Sequence, residues 1–306
     1  MNDSSIITLG RKCIFLLGYL LLLAGTAHAR VITPGAAVIP AVNFITGVDT
    51  IGGTWLATIE SSKIRIEFKS DAFKSSDDDH WWDSANFELS DFPNLPKVEK
   101  GTFSLTREAG TIAFTGKFGG NTGLGTYKFT ANKQFKDYIE NSGVTHLEES
   151  DEFAFFTCNL NKDYIEMLQR NGFKGVYAGN MAAMSSLKID EPFIQQFSAF
   201  GYNDIPANQL IALKAKRING DFIKGFTDIG YTNIPVNYLI TFKSMNITPA
   251  FVYGFKKLGF TDIPPGDLQT LKSKGVTPQH VADMQQKGFK SANLRKYIQL
   301  KKTSGE

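Results

Sequence analysis

Gly201-Tyr202-Asn203-Asp204-Ile205-Pro206, Gly230-Tyr231-Thr232-Asn233-Ile234-Pro235 and Gly259-Phe260-Thr261-Asp262-Ile263-Pro264 are copies of one hexapeptide pattern set 29 residues apart. The same spacing carries the glycine outward to Gly172 and Gly288, each followed by an aromatic, Phe173 and Phe289. A second column keeps register upstream: Tyr164, Phe193, Phe222, Phe251 and His280, every one followed by Ile or Val. A fixed period of this length marks a repeat architecture, in which neighbouring copies complete one another's core.

Each copy reads as two short helices. Thr248 can cap the orphan amides of a helix and Pro249 suits its first position, a device repeated at Thr277-Pro278. Phe251, Val252, Phe255 and Leu258 then share one face. Gly259 supplies the left-handed residue that ends the helix. Ile263-Pro264 starts the second helix, whose Leu268 and Leu271 point inward before Gly275 stops it. Helices of about ten residues are marginal alone, so the copies need their neighbours. The expectation is an α-solenoid of five helix-pair repeats over residues 161–300, with a tail at 301–306 and a connector at 136–160. The periodic aromatics are expected in the core. A binding face is expected among exposed cations such as Lys214, Lys216, Arg217, Lys224, Lys256, Lys257, Lys272 and Lys274.

Ahead of the repeat the period changes from helical to two. Lys63-Ile64-Arg65-Ile66-Glu67-Phe68-Lys69 and Thr111-Ile112-Ala113-Phe114-Thr115-Gly116-Lys117-Phe118 alternate as half-buried strands do. Trp55 lies in a preceding strand, Trp82 and Phe87 in a third, Phe103 and Leu105 in a fourth, and Tyr127 and Phe129 in the last. Arg107-Glu108-Ala109-Gly110 reads as a hairpin turn, as does Gly119-Gly120-Asn121-Thr122-Gly123-Leu124-Gly125. Residues 50–135 are therefore expected to form an antiparallel meander curled into a barrel-like sheet, making the chain a two-domain α+β protein. Trp81, Trp82, Arg107 and Glu108 are its candidate binding residues.

The N-terminus has the form of a secretion signal. Arg11 and Lys12 precede an apolar run from Cys13 to Gly25, and Thr26-Ala27-His28-Ala29 offers a small-residue cleavage site. The run is about 13 residues long, short of the ~20 a spanning helix needs. Residues 1–29 are read as a signal peptide and 30–49 as a linker, leaving no transmembrane span and a periplasmic or secreted protein. Cleavage leaves Cys158 as the only cysteine, which excludes an internal disulfide; among Phe155, Phe156 and Leu160 it reads as a buried small hydrophobe.

Charge divides the chain. Residues 31–159 hold 11 Lys and Arg against 18 Asp and Glu, and residues 160–306 hold 19 against 11. That places a boundary near residue 160 and suits either docking of the two halves or an anionic partner such as lipid headgroups or cell-wall polymer. No catalytic constellation emerges. His80, His146 and His280 share no metal-binding spacing, and Asp77-Asp78-Asp79-His80 lacks the spaced ligands of a calcium loop. Ser185-Ser186-Leu187-Lys188 with Lys302-Thr303-Ser304-Gly305 imitates two elements of penicillin-recognising enzymes without the Ser-Asp-Asn that joins them. The chain is read as non-catalytic, without metal, cofactor or nucleic acid, and with a protein or an anionic envelope component as partner. A small-ligand carrier using the barrel interior is the second reading. An enzyme with a site around Arg107, Glu108 and the acidic loop is the third.

Gly53-Thr54-Trp55, Phe103-Ser104-Leu105-Thr106-Arg107-Glu108-Ala109-Gly110-Thr111 and Phe114-Thr115-Gly116-Lys117-Phe118 resemble an extracytoplasmic region of some bacterial membrane metallopeptidases of the β-lactam-sensing antirepressor type. There too the β-region precedes helical units with a Gly-aromatic turn. The resemblance spans roughly residues 50–300 and implies a sensor-like or accessory module. The His-Glu-x-x-His of the peptidase is missing, so its activity is not implied.

Overall fold

The computed structural model describes residues 50–70, 82–148 and 150–303. The expected signal peptide and linker, the acidic run ending at His80, Trp81 and residues 304–306 lie outside the described residues, as do the side chains of Trp82, Lys302 and Thr303. The protein is α+β. Among the described residues six strands form one antiparallel sheet: β1 (Thr50–Glu60), β2 (Lys63–Ser70), β3 (Trp82–Glu88), β4 (Gly101–Arg107), β5 (Gly110–Gly119) and β6 (Thr122–Ala131). They match the segments of period-two alternation. Three two-residue turns close the hairpins, at Ser61-Ser62, Glu108-Ala109 and Gly120-Asn121. Gly120 takes the left-handed conformation that such a turn demands (φ 60°).

The strand order corrects the expected meander. It runs β3-β2-β1-β6-β5-β4, so two three-stranded meanders meet where β1 pairs with β6, Thr50 opposite Thr130. β3 and β4 remain as edges, and the sheet is a curled, open half-barrel. Alternation decides which face a residue takes and short turns decide hairpins, but neither chooses the neighbour on a strand's other side. The link between β3 and β4, with Pro93 and Pro96, is too long for a hairpin and carries the chain from one edge to the other.

Aromatic rings fill the concave face. Trp55 packs edge-on to Phe114 and Phe103, Phe103 stacks on Phe114 at 4.7 Å, and Phe68 meets Tyr127 and Phe87. The Trp55 indole N–H donates to the Thr126 carbonyl at 3.0 Å. Phe153 closes the face from a helix, 5.2 Å from Phe68 and 5.3 Å from Phe129. Each fully buried ring contributes about 2–3 kcal/mol of transfer free energy. A carrier would need a void where these rings stand.

The chain divides into two compact units, one ending at Ser186 and the next beginning at Leu187. The first holds the sheet and helices α1 (Lys133–Asn141), α2 (Asp151–Thr157), α3 (Lys162–Arg170) and α4 (Ala178–Ser186). The second holds α5 (Glu191–Gln195), α6 (Ala207–Ala215), α7 (Gly220–Thr227), α8 (Val236–Met245), α9 (Pro249–Lys257), α10 (Pro265–Ser273), α11 (Pro278–Gln286) and α12 (Leu294–Thr303). The first helix pair of the predicted repeat thus goes with the sheet, beyond the boundary that charge suggested. In the first unit α4 packs on α2, and its buried residues include Ala178, Met181, Ala182 and Met184, small and flexible side chains that allow close approach.

The 29-residue register is carried by backbone chemistry. Asn161, Asp190, Asn219, Thr248 and Thr277 each cap a first helix by accepting from the amide three residues on. Gly172, Gly201, Gly230, Gly259 and Gly288 all have φ between 70° and 94°, and the aromatic after each donates its amide to the carbonyl five residues back. Second helices end the same way at Lys188, Arg217, Asn246 and Gly275, all left-handed. The pattern also begins earlier than the expected five copies. Asn132 caps α1, Gly143 (φ 80°) ends it and Asn159 (φ 56°) follows α2, each 29 residues before its counterpart. The segment read as a connector is therefore a sixth helix pair. It escaped notice because Val144 stands where the other copies place an aromatic. Residues 301–303, read as tail, belong to α12.

Candidate functional site

Arg107 ends β4 and Glu108 opens the turn to β5, and each holds a helix end. The Arg107 guanidinium donates to the carbonyls of Phe156 (2.7 Å) and Thr157 (3.1 Å), the last residues of α2, whose carbonyls have no partner within the helix. It reaches Asp91 at 3.5 Å and lies over the rings of Phe87 and Phe156, and its side chain is only 13% exposed. Burial draws its pKa below the ordinary arginine range, and Asp91 opposes the shift. Glu108 accepts from the amide of Lys162, the first residue of α3. A cation at a helix C-terminus and a carboxylate at an N-terminus both complement the helix dipole. The two predicted binding residues are thus clasps for successive helices.

The Cys158 thiol and the Ser185 hydroxyl are similarly engaged. The Cys158 thiol donates to the Phe155 carbonyl, and burial pushes its pKa up to about 11, as a structural cysteine behaves. Ser185, the serine of the Ser-x-x-Lys, is buried and donates to the Cys158 carbonyl at 2.9 Å. Among the described residues no three His, Cys, Asp or Glu side chains gather as a metal site, and no helix is long and apolar enough to cross a membrane. An acid-rimmed cleft of about 160 Å³ lies over Phe135, Ile139 and Phe155. It is smaller than the ~300 Å³ at which small-molecule pockets begin, and the Lys136–Glu152 ion pair at 2.7 Å belongs to its rim.

The predicted cations fall into two sets, at the ends of second and of first helices. Lys214, Lys216 and Arg217 stand at the end of the second helix α6, whereas Lys256 and Lys257 stand at the end of the first helix α9. Lys256 donates to the Ile229 carbonyl and Lys257 lies over Tyr253. The structure adds a pattern that the sequence reading missed. Lys214 sits over Phe193 at 4.3 Å, Lys243 over Phe222 and Lys272 over Phe251 at 4.9 Å each. Those six residues keep the 29-residue register, so the spacing that exposed the repeat also held this signal. The pairs correct the expectation that every periodic aromatic is core. Phe193, Phe222 and Phe251 are half-exposed, and for the last two burial goes instead to the next residue, Ile223 and Val252, as it does to Val281 after His280.

Tyrosines tie neighbouring copies together. The hydroxyls of Tyr202 and Tyr231 donate at 2.6 Å to the carbonyls of Ile234 and Ile263, each in the next hexapeptide. Second helices also neighbour one another, α6 beside α8 and α8 beside α10. On the sheet's outer face Leu56 and Leu124 stand opposite each other across β1 and β6, 48% and 63% exposed. Val98 nearby is 89% exposed.

The geometry defines the class: an α+β chain of half-barrel and helix pairs. The chain matches no protein-family model, no curated protein and no solved structure. The resemblance to antirepressor-type metallopeptidases stands on the residues quoted for it alone.

Proposed function

We propose that this is an exported, non-catalytic interaction protein of the bacterial envelope, whose helix pairs stack as an α-solenoid and bind a protein or an anionic envelope component. The observation that carries the reading is the 29-residue recurrence of surface features, above all the lysine-over-phenylalanine pairs, beside the tyrosine ties between neighbouring copies of the second unit. Repeat arrays of this kind offer extended faces rather than enclosed pockets. The exposed Leu56, Leu124 and Val98 give the sheet a contact surface of its own. Engagement of Arg107, Glu108, Ser185 and Cys158 in helix ends and turns favours a binding role over a catalytic one.

The test is co-sedimentation of the purified mature chain with an isolated envelope fraction. Saturable binding that unlabelled protein competes away is expected. Binding that never saturates, or turnover of a substrate at a side chain named above, would overturn the reading.

A further inference from the structure

One edge of the second unit gathers positive charge in a way that helix stability alone does not require. The second helices α6, α8 and α10 lie side by side, and their last turns carry Lys214, Lys216 and Arg217, then Lys243, then Lys272 and Lys274. The amino group of Lys301, near the end of α12, donates to the Gly275 carbonyl at 2.6 Å, which sets the end of α12 beside the end of α10. The first helices α7, α9 and α11 begin within a few residues of these ends, so their positive N-termini open on the same edge. The acids there are Asp190, Glu191 and Asp221, fewer than the cations. Beneath the lysines lie the half-exposed rings of Phe193, Phe222 and Phe251.

We infer that this edge docks on an anionic lipid bilayer surface. The inference rests on the proposed reading of the chain as a binding protein and names the partner of its helical face. Two features select a bilayer over a soluble polyanion. Equivalent positions of a stacked repeat fall along one line, which presents the cations together to a flat, negatively charged plane. Phenyl rings under lysines add nothing to the capture of a free phosphate, whereas rings and basic side chains at one level suit the headgroup boundary.

The experiment is co-sedimentation of the mature chain with vesicles of phosphatidylcholine, with and without phosphatidylglycerol. Binding is expected only when phosphatidylglycerol is present, and is lost in high salt. One lysine near such a surface is worth about fivefold in affinity, so the double reversal Lys216→Glu, Lys274→Glu is expected to weaken binding by about 25-fold or more. Neither residue covers a ring, and an unchanged Tm shows that the fold survives. The matched reversal Lys287→Glu, Lys290→Glu, at the other end of the first helix α11, is expected to change binding less than about threefold. Equal binding to phosphatidylcholine alone, equal loss in both double variants, or capture of soluble polyphosphate without vesicle binding would each overturn the inference. Vesicle failure with envelope-fraction binding intact would sink the lipid surface and leave the broader reading standing; failure of both would sink both.

Discussion

Arg107 shows how a residue's role is decided far from its place in the chain. Its partners lie 16, 49 and 50 positions away, at Asp91, Phe156 and Thr157. No local pattern encodes those distances, so a charged residue in a hairpin turn reads as a surface binding group until the fold brings a helix end to it. Replacing it with Ala leaves the Thr157 carbonyl and Asp91 without this donor and the Phe156 carbonyl with the Asn159 amide alone, and a loss of about 2–4 kcal/mol in urea unfolding is expected. Lys in its place recovers little, because one ammonium cannot match the planar fork. Asp83 gives a second residue-scale outcome. It points to the inner side of the edge strand β3, opposite Phe68, and burial raises its pKa from 3.8 to about 6 against the opposing hydrogen bond from the Ser84 amide. Between those values the folded state holds a proton that the unfolded state has released. Stability therefore falls as pH rises from about 4 to about 6. The full shift corresponds to about 3 kcal/mol, of which partial exposure leaves about 1–2. Asp83→Asn is expected to flatten that part of the stability–pH curve and to raise the neutral-pH Tm.

Helices and strands were legible to different depths. Each cap, glycine stop and proline start is chemistry within a few residues, so the helix pairs were readable from their boundaries, and the six strands from alternation and turns. What local chemistry leaves open is the neighbour: β1 with β6, and which helices share the packing. The copy at Asn132 was hidden only by Val144, although Gly143 already kept the register. Helix contact supplies a test at this scale. Pro278, which starts α11, sits where a methyl group on Gly254 of α9 would come within 2.6 Å. Pro249 stands in the same relation to Gly225 of α7, at 3.0 Å. In the copy before, the sizes are exchanged: Gln196 replaces the glycine, Gly220 replaces the proline, and the Gln196 side-chain Oε1 accepts from the Gly220 amide at 2.9 Å. Gly254→Ala gains helix propensity of about 1 kcal/mol, yet the closer contact is expected to outweigh it and destabilise by about 1–2 kcal/mol. Gly225→Ala, with more room, is expected to fall near neutral. A double-mutant cycle with Pro278→Ala should recover most of the Gly254→Ala loss, whereas independent effects would add.

At the scale of the molecule, the equal spacing of caps, stops and inter-copy bonds implies that a helix pair can be removed if its neighbours then meet complementary surfaces. Residues 248–276 form one period, from the Thr248 cap to Val276. Their deletion joins Ile247 to Thr277 and brings Gly225 against Pro278, the glycine–proline contact that already exists between the copies. The Tyr231 hydroxyl, which now donates to Ile263, would face the backbone of the following hexapeptide position instead. Deleting residues 219–247 removes the same length but sets Gln196 against Pro249, so a long polar side chain meets a ring with no amide to donate. The first deletion is expected to keep a single cooperative unfolding transition at reduced stability. The second is expected to unfold at lower denaturant, by about 1–3 kcal/mol relative to the first, as misfit packing of this size costs. Circular dichroism and urea titration separate the cases. Equal stability of the two deletions would show that the glycine–proline fit does not set the register. Loss of all helical structure in the first would show that the copies are not exchangeable units of a stacked array.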